Sequence, residues 1–228
     1  MQKIRPDDII TLIPGMLNKN PIVIALLLTL VALAESTIAP WSPLIVLYAI
    51  LCIVIPAVSG SCHFGSFRKV LATHWRLLLI CLVLLTLWDR IFTSRLFPLQ
   101  AALPVFIERS ALKLRANELS AKIVFGFFIL IWAPFGEELF YRGYLQGNLR
   151  KKISFTKALL VAASFFAVRH GIHLLFFYPN IPWPAAYTWI VLAFGWGIIF
   201  GWLYEKSSSL YLPITAHLLA NCLSLFLS

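Results

Sequence analysis

The sequence predicts an all-α membrane protein, a single polytopic bundle of seven or eight transmembrane helices. Hydrophobic residues make up 61% of the 228-residue chain, charged residues only 12%, and the mean hydropathy is +0.87. Soluble domains carry about 25% charged residues, so this composition excludes an ordinary soluble domain. The apolar stretches are continuous rather than alternating, which favours membrane helices over the strands of a membrane barrel.

Seven apolar segments have lengths suited to membrane helices, because about 20 apolar residues cross the hydrocarbon layer. In chain order they are residues 21–39, 41–59, 75–88, 119–149, 157–177, 185–204 and 210–227. The third segment is short unless it continues past Asp89 and Arg90, and residues 97–107 would add an eighth crossing if they entered the membrane. We expect one integral membrane domain over residues 1–228, without a cleavable signal peptide.

The distribution of Lys and Arg predicts the orientation. With seven crossings, eleven basic residues fall on the side of the N-terminus and six on the other side, all six in one connection. The positive-inside rule therefore places the N-terminus in the cytoplasm. Residues 108–122 of that connection have a helical pattern of mixed charge, and a helix lying in the headgroup layer would explain the exception. The net charge of +10 is accounted for by basic loops against anionic lipid and requires no nucleic-acid partner.

The fourth segment carries Glu137, Glu138 and Arg142 in the middle of an apolar stretch. A charged side chain at the centre of a membrane helix costs about 2.5 to 3.5 kcal/mol, so such residues indicate a functional site. Glu138 and Arg142 are four residues apart and share a helical face, whereas Glu137 points about 100° away. We predict that one carboxylate pairs with Arg142 and that the other is free for chemistry; the spacing does not distinguish them.

Two further segments place polar side chains at a similar depth. Glu137 and His170 each lie thirteen residues from the basic end of their segment, and His217 lies eleven residues from its own. These separations correspond to about 16 to 20 Å at the helical rise of 1.5 Å per residue. Phe166 precedes His170 by four residues and Asn221 follows His217 by four, so each pair shares a face. The sequence therefore predicts a buried site built from three helices.

A carboxylate, two imidazoles and an amide are suited to hydrolysis of an acyl bond. A Glu in apolar surroundings can take a proton from water, with a His sharing that proton. A second His and an Asn can donate hydrogen bonds to the oxyanion of the tetrahedral intermediate. Because no Ser or Cys is placed as an obvious nucleophile beside a His, we expect water to be the nucleophile.

Three ordered motifs resemble those of the CAAX prenyl protease and bacteriocin-processing family (CPBP, or Abi) of intramembrane endopeptidases. The motifs are Glu137-Glu138-x-x-x-Arg142, Phe166-x-x-x-His170 and His217-x-x-x-Asn221. The resemblance covers residues 131–223, which we take as the catalytic core. Three motifs in order on separate membrane helices form a specific signal, whereas one Glu-Glu-x-x-x-Arg motif would be weak.

The resemblance implies a glutamate-type intramembrane endopeptidase with four catalytic residues. Glu137 would be the general base that activates water together with His170, and His217 and Asn221 would form the oxyanion hole. The supporting residues would be Glu138, Arg142 and Phe166.

The resemblance also bears on cofactor and partners. It implies a metal-independent enzyme, with zinc held by Glu137, His170 and His217 as the alternative. The expected partners are the lipid bilayer and a membrane-associated protein or peptide, cleaved near its C-terminus or membrane anchor. The short chain with minimal loops favours a prokaryotic plasma-membrane protein.

Two non-proteolytic classes are the competing interpretations. A non-catalytic bacteriocin-immunity or scaffold protein would be expected to have lost a motif residue, and none is lost here. A proton-coupled transporter would also keep charged groups in the membrane, but the sequence shows neither an internal repeat nor paired broken helices.

Overall fold

The computed structural model of the protein describes residues 6–38, 43–92, 127, 131–177 and 181–227. All regular structure in these ranges is helical, which confirms the predicted all-α class for the described residues. The helices are α1 (Pro6–Lys19), α2 (Pro21–Ile38), α3 (Pro43–Val58), α4 (Phe67–Phe92), α5 (Ala133–Glu138), a π-helix (Leu139–Gln146), α6 (Gly147–Arg150), α7 (Phe155–Phe177), α8 (Trp183–Ser207) and α9 (Tyr211–Leu227).

Three helices, α4, α7 and α8, are long and apolar enough to cross a membrane. The helical pieces Ile13–Lys19 and Pro21–Ala34 meet at 90° and would add a fourth span if they formed one broken crossing. By length and composition the described helices therefore give three or four crossings, and they do not establish the predicted seven or eight. The predicted eighth crossing at 97–107 and the predicted headgroup helix at 108–122 lie outside the described residues.

Helix α4 differs from the third predicted segment at both ends. It begins at Phe67 rather than at residue 75 and continues through Asp89 and Arg90 to Phe92, so it reaches 26 residues. Its charged residues are Arg68, Lys69 and Arg76 in the first ten residues and Asp89 and Arg90 in the last four, and long side chains of this kind can extend to a polar interface. The apolar middle carries a row of exposed side chains: Leu79, Ile80, Val83, Leu84 and Leu87.

Helix α1 was not predicted, although its sequence repeats Ile and Leu at helical intervals. Polar contacts hold it against neighbouring helices. The Tyr144 hydroxyl donates a hydrogen bond of 2.7 Å to the Leu17 carbonyl oxygen, and Asn18 Nδ2 donates one of 3.0 Å to the Ser59 carbonyl oxygen. These contacts tie α1 to the π-helix and to the end of α3.

Helices α7 and α8 approach closely because α8 carries glycine at positions 197 and 201. A Cβ atom on Gly197 would lie 3.0 Å from both Cα and Cβ of Ala163, and one on Gly201 would lie 2.6 Å from Gln146 Oε1. Gln146 Nε2 donates a hydrogen bond of 2.9 Å to the Gly201 carbonyl oxygen. The Gly-x-x-x-Gly pattern therefore serves contacts within the bundle, as small residues do between membrane helices.

Gly197→Ala is expected to lower the free energy of unfolding by about 1 to 3 kcal/mol, the usual cost of overpacking a close contact. The obstruction is the backbone of Ala163, which cannot rotate away as a side chain can. Unfolding in detergent measures the effect, with Gly15→Ala as the control because a Cβ at Gly15 meets nothing within 4 Å. Equal stability of the two variants would show that this approach does not constrain the bundle.

Candidate active site

The two adjacent glutamates lie where the chain changes from α-helix to π-helix. Helix α5 has Pro134 in its first turn, where the missing N–H costs nothing, and it ends at Glu138. The next residues form the π-helix rather than the α-helix that the segment 119–149 was expected to continue. Single-turn π segments inside helices are frequent at functional sites. In this setting Glu138 is completely buried and Glu137 is half-buried.

Glu138 joins the first and third motifs through a single oxygen. Its Oε1 accepts a hydrogen bond of 3.0 Å from Arg142 Nη1 and lies 2.8 Å from His217 Nδ1. Arg142 is 1% exposed and His217 is 3% exposed, so the whole group is shielded from solvent. Glu138 is therefore the carboxylate that pairs with Arg142, the assignment that the spacing left open.

Aromatic rings enclose the Arg142 guanidinium. Its Cζ lies 4.6 Å from the centroid of the Phe166 ring and 5.3 Å from that of Phe200, and Nη2 donates a hydrogen bond of 3.2 Å to the Gly197 carbonyl oxygen. The Phe200 ring also stacks on the His217 imidazole at 4.7 Å. Cation–π contacts of a desolvated Arg are worth about 2 kcal/mol, so these rings stabilise the buried charge.

His170 is held in one tautomer by the backbone of its own helix. Its Nδ1 lies 2.8 Å from the Phe166 carbonyl oxygen, which can only accept a hydrogen bond, so Nδ1 carries the proton. In the neutral ring Nε2 is then the basic nitrogen. His170 interacts electrostatically with Glu137 and with His217, which places the second motif beside both of the others.

Glu137 differs from its neighbour in having no fixed partner. It makes no hydrogen bond or ion pair with the described residues, although it interacts electrostatically with His170 and with Arg142. Asn221 is half-buried on α9, one helical turn beyond His217. Glu138, Arg142, Phe166, His170 and His217 are therefore brought together from the π-helix region, α7 and α9.

Helix α3 contributes a wall of the site that sequence analysis missed. The hydroxyl groups of Tyr48 and Tyr141 lie 3.1 Å apart, and the Arg169 Cζ lies 4.5 Å from the centroid of the Tyr48 ring. Cys52 packs against Gly136: a Cβ atom added to Gly136 would lie 3.4 Å from the Cβ of Cys52. The signal that was available is the spacing of Tyr48 and Cys52, four residues apart in an otherwise aliphatic segment.

The donors proposed for zinc do not assemble into a metal site. Among the described residues, no group of three or more His, Cys, Asp or Glu side chains is arranged to hold a metal ion. Glu137, His170 and His217 do not form such a three-donor group among the described residues.

The fold, the buried site and one family match indicate the class of protein. The regular structure of the described residues is helical, with membrane-length helices and a buried cluster of Glu, Arg and His. Residues 119–223 match the family model described as Type II CAAX prenyl endopeptidase Rce1-like, which confirms the family resemblance that the three motifs predicted. That family implies a peptidase. No curated protein and no solved structure matches the chain.

Proposed function

We propose that the protein is an intramembrane endopeptidase in which Glu137, with His170, activates water for direct attack on a peptide bond. The observation that carries the proposal is the asymmetry of the glutamate pair. Glu138 is committed to Arg142 and His217, whereas Glu137 is half-buried, lacks a hydrogen-bond partner among the described residues and interacts with His170. A carboxylate in that situation is available to take a proton.

The first step is the deprotonation of water. Glu137 accepts one proton as the water oxygen forms a bond to the carbonyl carbon, and His170 Nε2 accepts a hydrogen bond from the same water or holds the proton transiently. The Phe166 carbonyl oxygen supports this role because it fixes the proton of His170 on Nδ1. General base catalysis of this kind contributes about 10²- to 10⁴-fold to the rate.

The oxyanion of the tetrahedral intermediate is stabilised by His217 and Asn221. Because Glu138 Oε1 engages Nδ1 of His217, Nε2 is the ring nitrogen that remains to face the oxyanion. Nε2 donates a hydrogen bond when the ring is doubly protonated, with the Glu138 carboxylate balancing that charge. It also donates when Glu138 holds the extra proton and the imidazole is neutral. In either form Glu138 is a positioning residue that sets the direction of the donor.

The second half of the reaction returns the proton. The carbon–nitrogen bond breaks, the proton taken by Glu137 or His170 moves to the leaving amine, and the carbonyl carbon becomes a carboxylic acid. Glu137 and His170 thereby serve as general acid after serving as general base. No covalent intermediate with the protein is required, and each group ends in its starting protonation state.

The proposed setting is a lipid bilayer, with the N-terminus cytoplasmic and seven helices crossing. The exposed aliphatic row on α4 supports insertion because an apolar surface of that length is unfavourable in water. The proposed substrate is a membrane-associated protein or peptide cleaved near its C-terminus or membrane anchor. We propose a single domain over residues 1–228 with its catalytic core at 131–223, in a prokaryotic plasma membrane.

Terminal-peptide profiling of cell envelopes tests this function and identifies the substrate in the same experiment. Cells with the wild-type chain are expected to contain new termini that are absent from cells with Glu137→Ala and from cells with His217→Ala, provided that membrane levels of the three proteins match. Identical termini in the three strains, with the cellular phenotype of the protein retained by both variants, would instead support an immunity or scaffold role.

A further inference from the structure

A cavity of about 440 Å³ lies where the π-helix passes into α6, and its lining includes none of the predicted site residues. Gly143 of the π-helix and Gly147 of α6 form one side of it, and neither residue has a side chain to fill the space. The polar and charged side chains that line it include His63, Arg150, Lys151, Tyr204, Glu205 and Ser208.

The one carboxylate of this lining is already neutralised. Arg150 Nε donates to both oxygens of Glu205 at 3.1 and 3.2 Å, and Nη2 donates to Oε1 at 2.9 Å. Glu205 is therefore not an unbalanced negative charge at the cavity. The remaining formal charge is the ammonium group of Lys151, so the lining is positive overall.

Hydrogen-bond donors remain available in the cavity. The Tyr204 side chain is 8% exposed, yet its hydroxyl makes no hydrogen bond within the described part of the chain. Lys151 Nζ donates one hydrogen bond of 2.9 Å to Asn148 Oδ1, which leaves two of its three N–H groups. The exposed Ser208 at the mouth adds a hydroxyl that bonds to none of the described residues. The Tyr204 hydroxyl and the Lys151 ammonium group can therefore donate to a ligand that presents acceptor oxygens.

We propose that this cavity binds a phosphate group. A phosphate presents several acceptor oxygens and a negative charge to a site that offers a cation, unused donors and no free carboxylate. The phosphate could be that of an anionic phospholipid or free phosphate, because both present the same acceptor oxygens and charge. The lipid source is suggested by the basic residues 150–152 and Lys206, which predict a cytoplasmic headgroup layer at this end of the helices. This inference does not depend on the peptidase activity.

Binding is tested with the purified full-length chain in neutral detergent micelles. The probes are phosphatidylglycerol, diacylglycerol with the same acyl chains, and inorganic phosphate against chloride at equal ionic strength. The measurements are the thermal unfolding midpoint and the apparent Kd. We expect phosphatidylglycerol to raise the midpoint of the wild-type chain and diacylglycerol to leave it unchanged. If inorganic phosphate binds equally well, the source is free phosphate; if only the lipid binds, it is the headgroup.

Two variants and a matched control locate the site. Tyr204→Phe removes only the unpartnered hydroxyl, and Lys151→Gln removes the cation; each is expected to weaken binding about tenfold, the worth of one charge-assisted hydrogen bond. Lys152→Gln makes the same charge change at a neighbour that does not line the cavity, and its Kd is expected to equal that of the wild type. The proposal is wrong if neither phosphate probe binds, or if diacylglycerol binds as well as phosphatidylglycerol. It is also wrong if Tyr204→Phe binds like the wild type, or if Lys151→Gln and Lys152→Gln lose affinity equally.

Discussion

Glu137→Gln is expected to lower peptide hydrolysis about 10²- to 10⁴-fold and to leave the free energy of unfolding unchanged. The amide has the size of the carboxylate but cannot take a proton from water. Because Glu137 makes no hydrogen bond or ion pair with the described residues, removing its charge breaks no such contact there. The loss should therefore be in kcat rather than in stability.

This expectation is measured with a peptide that spans a cleavage site found by terminal profiling, alongside thermal unfolding of the same preparations. Glu205→Gln is the control, since it makes the same chemical change in a half-buried residue outside the active site. Full turnover by Glu137→Gln would assign the base to another group. A large drop in its stability would mean that the residue is structural.

Glu138→Ala is expected to lower the free energy of unfolding by about 3 to 5 kcal/mol, the usual cost of removing one partner from a buried ion pair. Glu138 is 0% exposed, and one of its oxygens serves both Arg142 and His217. Its removal leaves a guanidinium without its countercharge inside the bundle. Loss of activity should accompany the loss of stability, because His217 is no longer oriented.

The chain provides a matched comparison in its other Glu–Arg pair. The side chains of Arg150 and Glu205 are 36% and 27% exposed, so solvent screens their attraction. Exposed pairs are worth about 0 to 1 kcal/mol, and Glu205→Ala is expected to stay within that range. Denaturant unfolding of both variants in the same detergent measures the difference. If the two variants were equally stable, burial would not be what makes the Glu138 pair important.

The features that could be predicted from the sequence are those that the bilayer imposes. Charged groups in an apolar segment must be paired or functional, so one of the two glutamates was expected to pair with Arg142, and in the structure Glu138 does so. The common depth of His217 and Glu137 likewise predicted the meeting of helices that the Glu138–His217 contact shows. Helical periodicity and depth from a basic end were sufficient for these conclusions.

Other features depend on tertiary packing and were not predictable in this way. The π-helix after Glu138 has no distinct sequence pattern. Its wider turns depend on packing against neighbouring helices, which local spacing does not reveal. The wall formed by Tyr48 and Arg169 joins α3 to α7, two helices whose adjacency no local spacing reveals. Helix α1 was missed because its apolar repeat is too short to span a membrane, although it packs on the core through Leu17.

Hydrolysis of a peptide bond by this chain itself, with water activated by Glu137, can be followed through the oxygen atom that water supplies. The most direct measurement uses the purified wild-type chain in lipid nanodiscs, with a metal chelator present, and a substrate peptide in water enriched in oxygen-18. We expect a product whose new C-terminal carboxyl group contains one oxygen-18 atom and whose formation is almost abolished by Glu137→Gln. Failure of the wild-type chain to form that product, or its formation at equal rates by both proteins, would contradict the account.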